Sequence, residues 1–375
     1  MSFADWRVSR MKNVFGNNIT VTLFGESHGP QIGAVLDGVA PGLDVDIEYM
    51  RKQLNLRKPH GNISTQRVET DEPHIVSGVF EGKTTGTPIC ILFDNNNTKS
   101  KDYSKTKDLM RPGHADYTAI EKYHGYGDYR GGGHFSGRLT TPVVAVGAIL
   151  IDALRKKGIY IGTHIAKCGT IQDTPFMHYE EEVTKVNDLL FPVLDEKASE
   201  EMYAYMEDVA KEGDSVGGVL ETVVTGIPAG IGEPWFDSME SMLAHGLFSI
   251  PAVKGVEFGK GFEFAGMKGS EANDAFQLEE GKVVTKTNHN GGINGGITNG
   301  MPILFNTVIK PTPSIYKKQD TVNMSTKENV SFQIEGRHDP AIVHRARVVV
   351  DSVTAIVVSD MLTLHYGTDW LKGEK

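Results

Sequence analysis

Along the chain the spacing of apolar residues changes in a way that separates strands from helices. Ile19 to Gly25 alternates apolar and polar side chains and ends in glycine, while Gly33 to Val39 is a short apolar run stopped by Pro41-Gly42. The two read as adjacent strands. Asp46 then stands where an N-cap belongs, before Ile47 to Leu56, in which Ile47, Met50 and Leu54 recur at helical spacing. Thr141-Pro142 opens a second helix whose body, Val143 to Leu154, is apolar on most faces. Arg155-Lys156-Lys157-Gly158 supplies its cationic last turn and its stop, so burial of this helix is expected. Glu200 to Glu212 and Asp237 to His245 read as helices each ended by glycine, and Ala341 to Leu364 as one long helix with an apolar middle. Pro88 to Phe93, Gly218 to Ile227 and Met301 to Ile309 read as further strands.

One stretch echoes another. Val35 to Leu43 resembles Glu221 to Ile231, each a strand followed by a glycine- and proline-containing turn ahead of a helix. A duplicated strand-strand-helix unit would give a pseudo-symmetric core with sheets and helices in layers, although turn chemistry alone can also produce the likeness. No Pro-, Ser- or Gly-rich linker and no block of like charge divides the chain, so the expectation is one domain over 1–375 with its core at about 16–364. Asp94 to Asp108 and Arg57 to Asp71, both rich in polar residues, are expected to be loops that order on binding.

Composition narrows the class without choosing a function. With 375 residues and 39% hydrophobic content the chain can bury a sizeable core. A net charge of -10 gives no overall field for nucleic acid or an anionic membrane, so any bound anion must be captured locally. No apolar run is read as approaching the ~20 residues of a membrane span. Two cysteines, Cys90 and Cys168, and no signal-like start fit a reducing cytoplasm. The 42 glycines gather in Gly125 to Gly137, Gly255 to Gly269 and Gly291 to Gly300, which suggests backbone brought close to a ligand or, equally, tight turns.

Several familiar motifs fail. Gly78 to Thr84 resembles a phosphate-binding P-loop but has three residues between its glycines where four are needed. Gly125-Tyr126-Gly127-Asp128-Tyr129 arrives at Arg130 where a dinucleotide fingerprint requires its third glycine. No spacing of Cys, His or carboxylates supports a zinc or calcium site, and no metal is expected.

The 13 histidines therefore need another explanation, and four sit in small, polar, glycine-flanked settings: His28, His114, His134 and His338. Imidazole passes protons near neutrality. Arg57, Lys58, Arg67, Arg111, Arg130, Arg138 and Arg337 lie beside Gly, Pro or polar residues, as expected of cations that grip phosphate, although Arg67, with Glu69 and Asp71 beside it, reads better as surface. Lys310-Pro311-Thr312-Pro313-Ser314 ends a strand with a cation, two prolines and two hydroxyls, a plausible holder of phosphate oxygens.

In order, Phe24 to Gly29, Gly82 to Pro88, Arg111 to Tyr117, Asp128 to Gly133, Ala252 to Glu257, Asn288 to Gly292 and Gly336 to Pro340 resemble the signatures of the chorismate synthase family, over about Gly16 to Leu364. The resemblance implies an α+β fold, a β-α-β sandwich, assembled as a homotetramer. It implies a lyase of the shikimate pathway that eliminates phosphate from 5-enolpyruvylshikimate 3-phosphate with reduced FMN, NADPH being a candidate reductant. His28, His114 and Asp339 are then the catalytic candidates, and Ser27, Arg57, His134, Arg138 and Arg337 the substrate and phosphate ligands. His134, Phe135, Ser136, Pro251, Ala252, Gly295, Lys310 to Ser314 and Arg337 fall at flavin-contacting positions. His134 stands where many members carry arginine, so charge there varies with pH as a guanidinium's does not. A second arginine usual after Arg57 falls at Asn62 or Ile63, and an asparagine usual before Ala252 is Pro251. These departures leave two alternatives: a flavin-binding paralogue without lyase activity, and a protein that is mainly a flavin reductase. Retention of His28 and Asp339, which a binding scaffold would not need, argues against the first.

Overall fold

The computed structural model describes residues 12–65, 70–96, 107–334 and 339–372. A short edge strand β1 (Val14–Phe15) pairs with β2 (Thr20–Gly25), which hairpins into β3 (Gln31–Asp37), Thr20 opposite Asp37 and Gly25 opposite Ile32. Helix α1 (Ile47–Arg57) begins where the Asp46 carboxylate accepts from the Tyr49 N–H, satisfying one of the free donors of its first turn. Strands β4 (His74–Ser77) and β5 (Ile89–Asp94) complete an antiparallel sheet of order β1-β2-β3-β5-β4. Helix α2 (Asp116–Tyr123) and the apolar helix α3 (Thr140–Lys156) follow.

The second half repeats this plan. Strands β6 (Tyr160–Cys168) and β7 (Ile171–Gln172), helices α4 (Tyr179–Asp188) and α5 (Glu196–Lys211), β8 (Gly218–Thr225), α6 (Met239–Phe248), β9 (Val253–Phe258), β10 (Ile303–Ile309) and α7 (Val343–Tyr366) include a second antiparallel sheet, β9-β10-β8-β6-β7. The path β2-β3-α1-β4-β5-α3 thus matches β6-β8-α6-β9-β10-α7, and in both sheets the strand after the short helix lies at the edge and has an irregular register. The sequence echo has the same origin. Gly38 and Gly226 leave equivalent strands at φ 83° and 76°, and a Cβ on either would lie 1.8 and 2.0 Å from the Asn18 and Gly158 carbonyl oxygens, just before the preceding strands. Only glycine fits both turns.

Helices α3 and α7 pack against each other between the sheets, α3 on β3 and β5, α7 on β6 and β8, with α1 and α6 beside them. One apolar cluster runs from Ile19 through Leu150 and Val357 to Ile309 and joins both sheets. The result is the expected layered α+β sandwich with internal pseudo-symmetry. Residues 137–156 and 343–366 are each long and apolar enough to span a membrane by length and composition, contrary to the reading of the sequence, but 83% and 89% of those windows are buried in this core.

Helix α6 does not stop at Gly246 as its sequence suggests. A Cβ at Gly246 would approach Val357 and Val353 of α7 to 2.8 and 3.0 Å, so the glycine serves close helix packing while the helix continues to Phe248.

The outer face of the second sheet is held by an ionic clamp. His164 on β6 is fully buried, its Nδ1 2.7 Å from Asp173 and its Nε2 2.8 Å from Glu221, with Phe176 edge-on to the ring. Burial lowers the imidazole pKa, but the two carboxylates outweigh it and raise the net value above 6.5, whereas Asp173 is lowered despite its own burial. The imidazolium therefore contributes stability that is complete below pH ~6.5 and fades as pH rises through the higher folded value. His164→Gln is expected to cost about 3 kcal/mol near pH 6 and to flatten the decline of urea midpoint on the alkaline side. A variant with the wild-type pH dependence would show that the clamp is not its source.

Candidate functional site

The turn between β2 and β3 carries the first candidate pair. Ser27 and His28 are both buried, and the Ser27 N–H donates to the Gly133 carbonyl at 3.1 Å. His134 Nδ1 lies 2.8 Å from the Gly25 carbonyl, and because a carbonyl only accepts, Nδ1 carries the proton and Nε2 is left for other work. Gly131, Gly132 and Gly133 all have positive φ. A Cβ on Gly131 would fall 2.2 Å from His28 Cε1, and one on Gly132 3.3 Å from His114 Nε2. Adjacent glycines thus let bare backbone lie against both candidate histidines.

His114 comes from the loop before α2. Its Nδ1 is 2.7 Å from Asp116 Oδ1, and Arg111 grips the same carboxylate through Nε and Nη2, both at 2.7 Å. Burial acts to raise the Asp116 pKa, but Arg111 and His114 together hold it well below the usual carboxylate range. Lys310, at the end of β10, donates to the Gly113 carbonyl at 2.5 Å; burial, with Lys254 nearby, lowers its pKa. Pro313 stands 3.5 Å from where a Gly113 Cβ would be, so Lys310 to Ser314 packs on the His114 loop. Ala252, itself at φ 75°, accepts from the Lys310 N–H, which brings Pro251-Ala252 alongside.

The same 310–314 segment reaches the third candidate. The Thr312 hydroxyl donates to the Asp339 carbonyl, and Ser314 and Asp339 line one cleft with Asn62 and Ser64. The Asp339 carboxylate accepts from the Thr65 N–H at 2.8 Å and from Arg345 at 2.7 Å, and Arg345 in turn donates to the Arg57 carbonyl.

Arg57 and Arg138 meet on Asp71, whose side chain is fully buried: Arg57 donates to Oδ2 at 2.7 Å and Arg138 to Oδ1. Burial pulls Arg57 down to about 10, with Asp71 opposing and the neighbouring Arg345 and Arg138 adding to the fall. Its Nε–H finds no acceptor among the described residues. Arg138 also donates to Asn95 Oδ1, and the Asn95 amide donates back to the Glu26 and Gly29 carbonyls flanking His28. The contacts therefore close into a ring: His28, Gly131-Gly132, His114, Lys310 to Ser314, Asp339, Arg345, Arg57, Asp71, Arg138, Asn95 and back.

Most residues singled out in the sequence are in or beside this ring. Ser136 caps the short turn holding Arg138, and Phe135, partly exposed, meets Tyr123 edge-on. Gly295 stands near the start of α6, where its neighbour Gly296 accepts from the Met239 N–H, and Ala252 follows the end of the same helix. Arg337 and His338 lie outside the described residues, as do Arg67, Glu69 and the parts of the two expected binding loops at 66–69 and 97–106. Arg130 pairs with its near neighbour Asp128. Among the described residues no group of His, Cys, Asp or Glu could hold a metal ion. Sequence reasoning missed Asp71, Asn95, Asp116 and Arg345. Asp71 in particular reads from its neighbours as surface, whereas the structure buries it between two cations.

Comparison with known proteins bears on what such a ring serves. A family model described as chorismate synthase matches residues 19–363. The chorismate synthase of Thermococcus kodakarensis is 46% identical over 348 residues, covering 92% of this chain and 96% of that protein. That of Lachnoclostridium phytofermentans is 48% identical over 350 residues, covering 93% and 94%. A crystal structure of chorismate synthase superposes with a TM-score of 0.74 at 28% identity, covering 95% of this chain and 94% of the other.

Proposed function

The chain belongs to the chorismate synthase family of lyases, and from that premise we propose that it eliminates phosphate from 5-enolpyruvylshikimate 3-phosphate in trans-1,4 fashion, giving chorismate, with reduced FMN bound beside the substrate. The observation that carries this reading is the convergence of His28, His114, Lys310 and Asp339 with two buried arginines in one ring of contacts.

The residues fit such a cofactor. The backbone beside His28 and His114 is a surface that a Cβ would fill, Lys310 supplies a cation, and Thr312, Ser314 and Ala252 border it with small polar groups and open backbone. Pro251, Ala252 and Lys310 to Ser314, with His134, Phe135 and Ser136, would hold the flavin, and Gly295 and Arg337 complete the set the family implies. When bound, reduced FMN would lend electron density as phosphate leaves and recover it as the ring proton departs, so that the net reaction is redox-neutral.

The chain's own groups have separable tasks. His28, pressed against Gly131, donates a proton or hydrogen bond to the departing phosphate, where negative charge grows. Arg57, with its unused Nε–H, and Arg138 hold the anionic substrate, and Ser27 adds a hydroxyl. Asp339 is aimed by Thr65 and Arg345 and assists removal of the ring proton. In its imidazolium form His134 keeps Nδ1–H on the Gly25 carbonyl and donates Nε2–H to the phosphate. His134→Ala is expected to raise KM for the substrate about tenfold with little change in kcat, the loss of one charge-assisted hydrogen bond. An unchanged KM would remove it from the phosphate site.

We place the protein in the cytoplasm as a homotetramer of single-domain subunits, without nucleic-acid or membrane partners, and light scattering on the purified chain tests the assembly. Relatives that match almost end to end are chorismate synthases, so a non-catalytic flavin-binding paralogue or a dedicated flavin reductase is not favoured. The deciding assay mixes the protein anaerobically with dithionite-reduced FMN and 5-enolpyruvylshikimate 3-phosphate. Chorismate absorbance and phosphate release should rise in equal amounts. Flavin binding without either product would overturn the proposal, and substituting NADPH for dithionite shows whether the chain reduces its own flavin.

A further inference from the structure

We propose that Asp116 is a positioning residue that fixes His114 as the tautomer with its proton on Nδ1, so that Nε2 is the nitrogen presented beside Gly132. The inference rests on the reading of this ring as the lyase site. Asp116 Oδ1 is 2.7 Å from His114 Nδ1, and a carboxylate oxygen can only accept. The competing donor is Arg111 Nη2, which lies 2.7 Å from Asp116 Oδ1 and has a second N–H, but it reaches this nitrogen only at the longer 3.1 Å. With the proton moved to Nε2, the Nδ1 lone pair would face the carboxylate at hydrogen-bond distance. The shorter, charge-assisted bond to Asp116 therefore decides the tautomer.

Asp116 is itself immobilised. Arg111 Nε and its backbone N–H both donate to Oδ2, at 2.7 and 3.1 Å, so each carboxylate oxygen has its own partners. The turn closed by His114 N–H on the Arg111 carbonyl folds Arg111, His114 and Asp116 onto one another within six residues. Lys310 touches this loop through the Gly113 carbonyl, and the flank at Nε2 is uncharged Gly132 backbone. The arrangement is that of a carboxylate orienting a catalytic imidazole: it sets which nitrogen can take or give a proton.

The test uses the whole protein labelled with 15N-histidine, with the His114 ring signals assigned by their loss in His114→Gln. The expected result is neutral His114 protonated at Nδ1 in the wild type. Asp116→Asn, whose amide can donate to Nδ1, should move the proton toward Nε2. In the elimination assay it should lower kcat by ~100-fold and leave KM within about threefold, with Asp116→Glu recovering part of the loss. A wild-type ring protonated at Nε2, or full kcat in Asp116→Asn, overturns the inference. The wild-type spectrum needs no variant, so it decides even if a substitution misfolds. Wild-type protein that lacks turnover would instead count against the lyase reading, with the tautomer still readable.

Discussion

Asp71→Asn is expected to destabilise the protein by about 3–5 kcal/mol and to raise KM for the phosphorylated substrate sharply. Asp71 has φ 50°, a left-handed conformation that asparagine shares readily, so this substitution changes the charge without adding backbone strain, as alanine would. What it removes is the one carboxylate that Arg57 and Arg138 share out of solvent. Burial acts to raise the Asp71 pKa, but the two arginines outweigh it and leave the carboxyl below its usual value. A carboxyl lowered in the folded state contributes stability above pH ~3.8 that is lost as pH falls through the folded value, so the gap between wild type and variant should close in acid. Urea midpoints at pH 7 and pH 3 measure both effects. A variant within about 1 kcal/mol of wild type at pH 7 would show that the two guanidiniums are solvated by something other than Asp71.

Asp339→Asn should leave the fold and flavin binding nearly intact and reduce turnover by ~100-fold or more. Asparagine matches aspartate in shape but cannot accept from both Thr65 and Arg345, since one of its two ends is a donor. The Arg345 pair is mostly buried, but asparagine keeps one of the two hydrogen bonds, so the cost in stability should be about 1–2 kcal/mol. Flavin titration and single-turnover chorismate formation separate the two effects, and full activity would exclude the carboxylate from proton removal.

The sequence was legible where a feature depends on near neighbours. Asp46 announced α1, and Met301 to Ile309 read as the strand that became β10, whose burial alternates along its length. Strand β6 was missed because it is buried along most of its length and offers no alternation to read. Helix α4 was missed because only Val183 and Val186 of its ten residues are buried, too few to set a helical period. The candidate site divides the same way. His28, His114 and Asp339 lie in local motifs, whereas Asp71 meets Arg138 across 67 positions and Arg345 reaches the Arg57 carbonyl across 288. No local pattern announces a partner that distant.

The packing of α3 against α7 has a consequence for biogenesis. Thirteen of the seventeen residues of α3 are buried in the finished protein, and its main helical partner is α7, at Val343–Tyr366. At ~5–20 residues per second, a ribosome needs about 10–40 s to pass from one helix to the other. For that interval β3, β5 and α1 can cover part of α3, but the face that packs on α7 stays bare, an apolar stripe held open to water until the last helix is made.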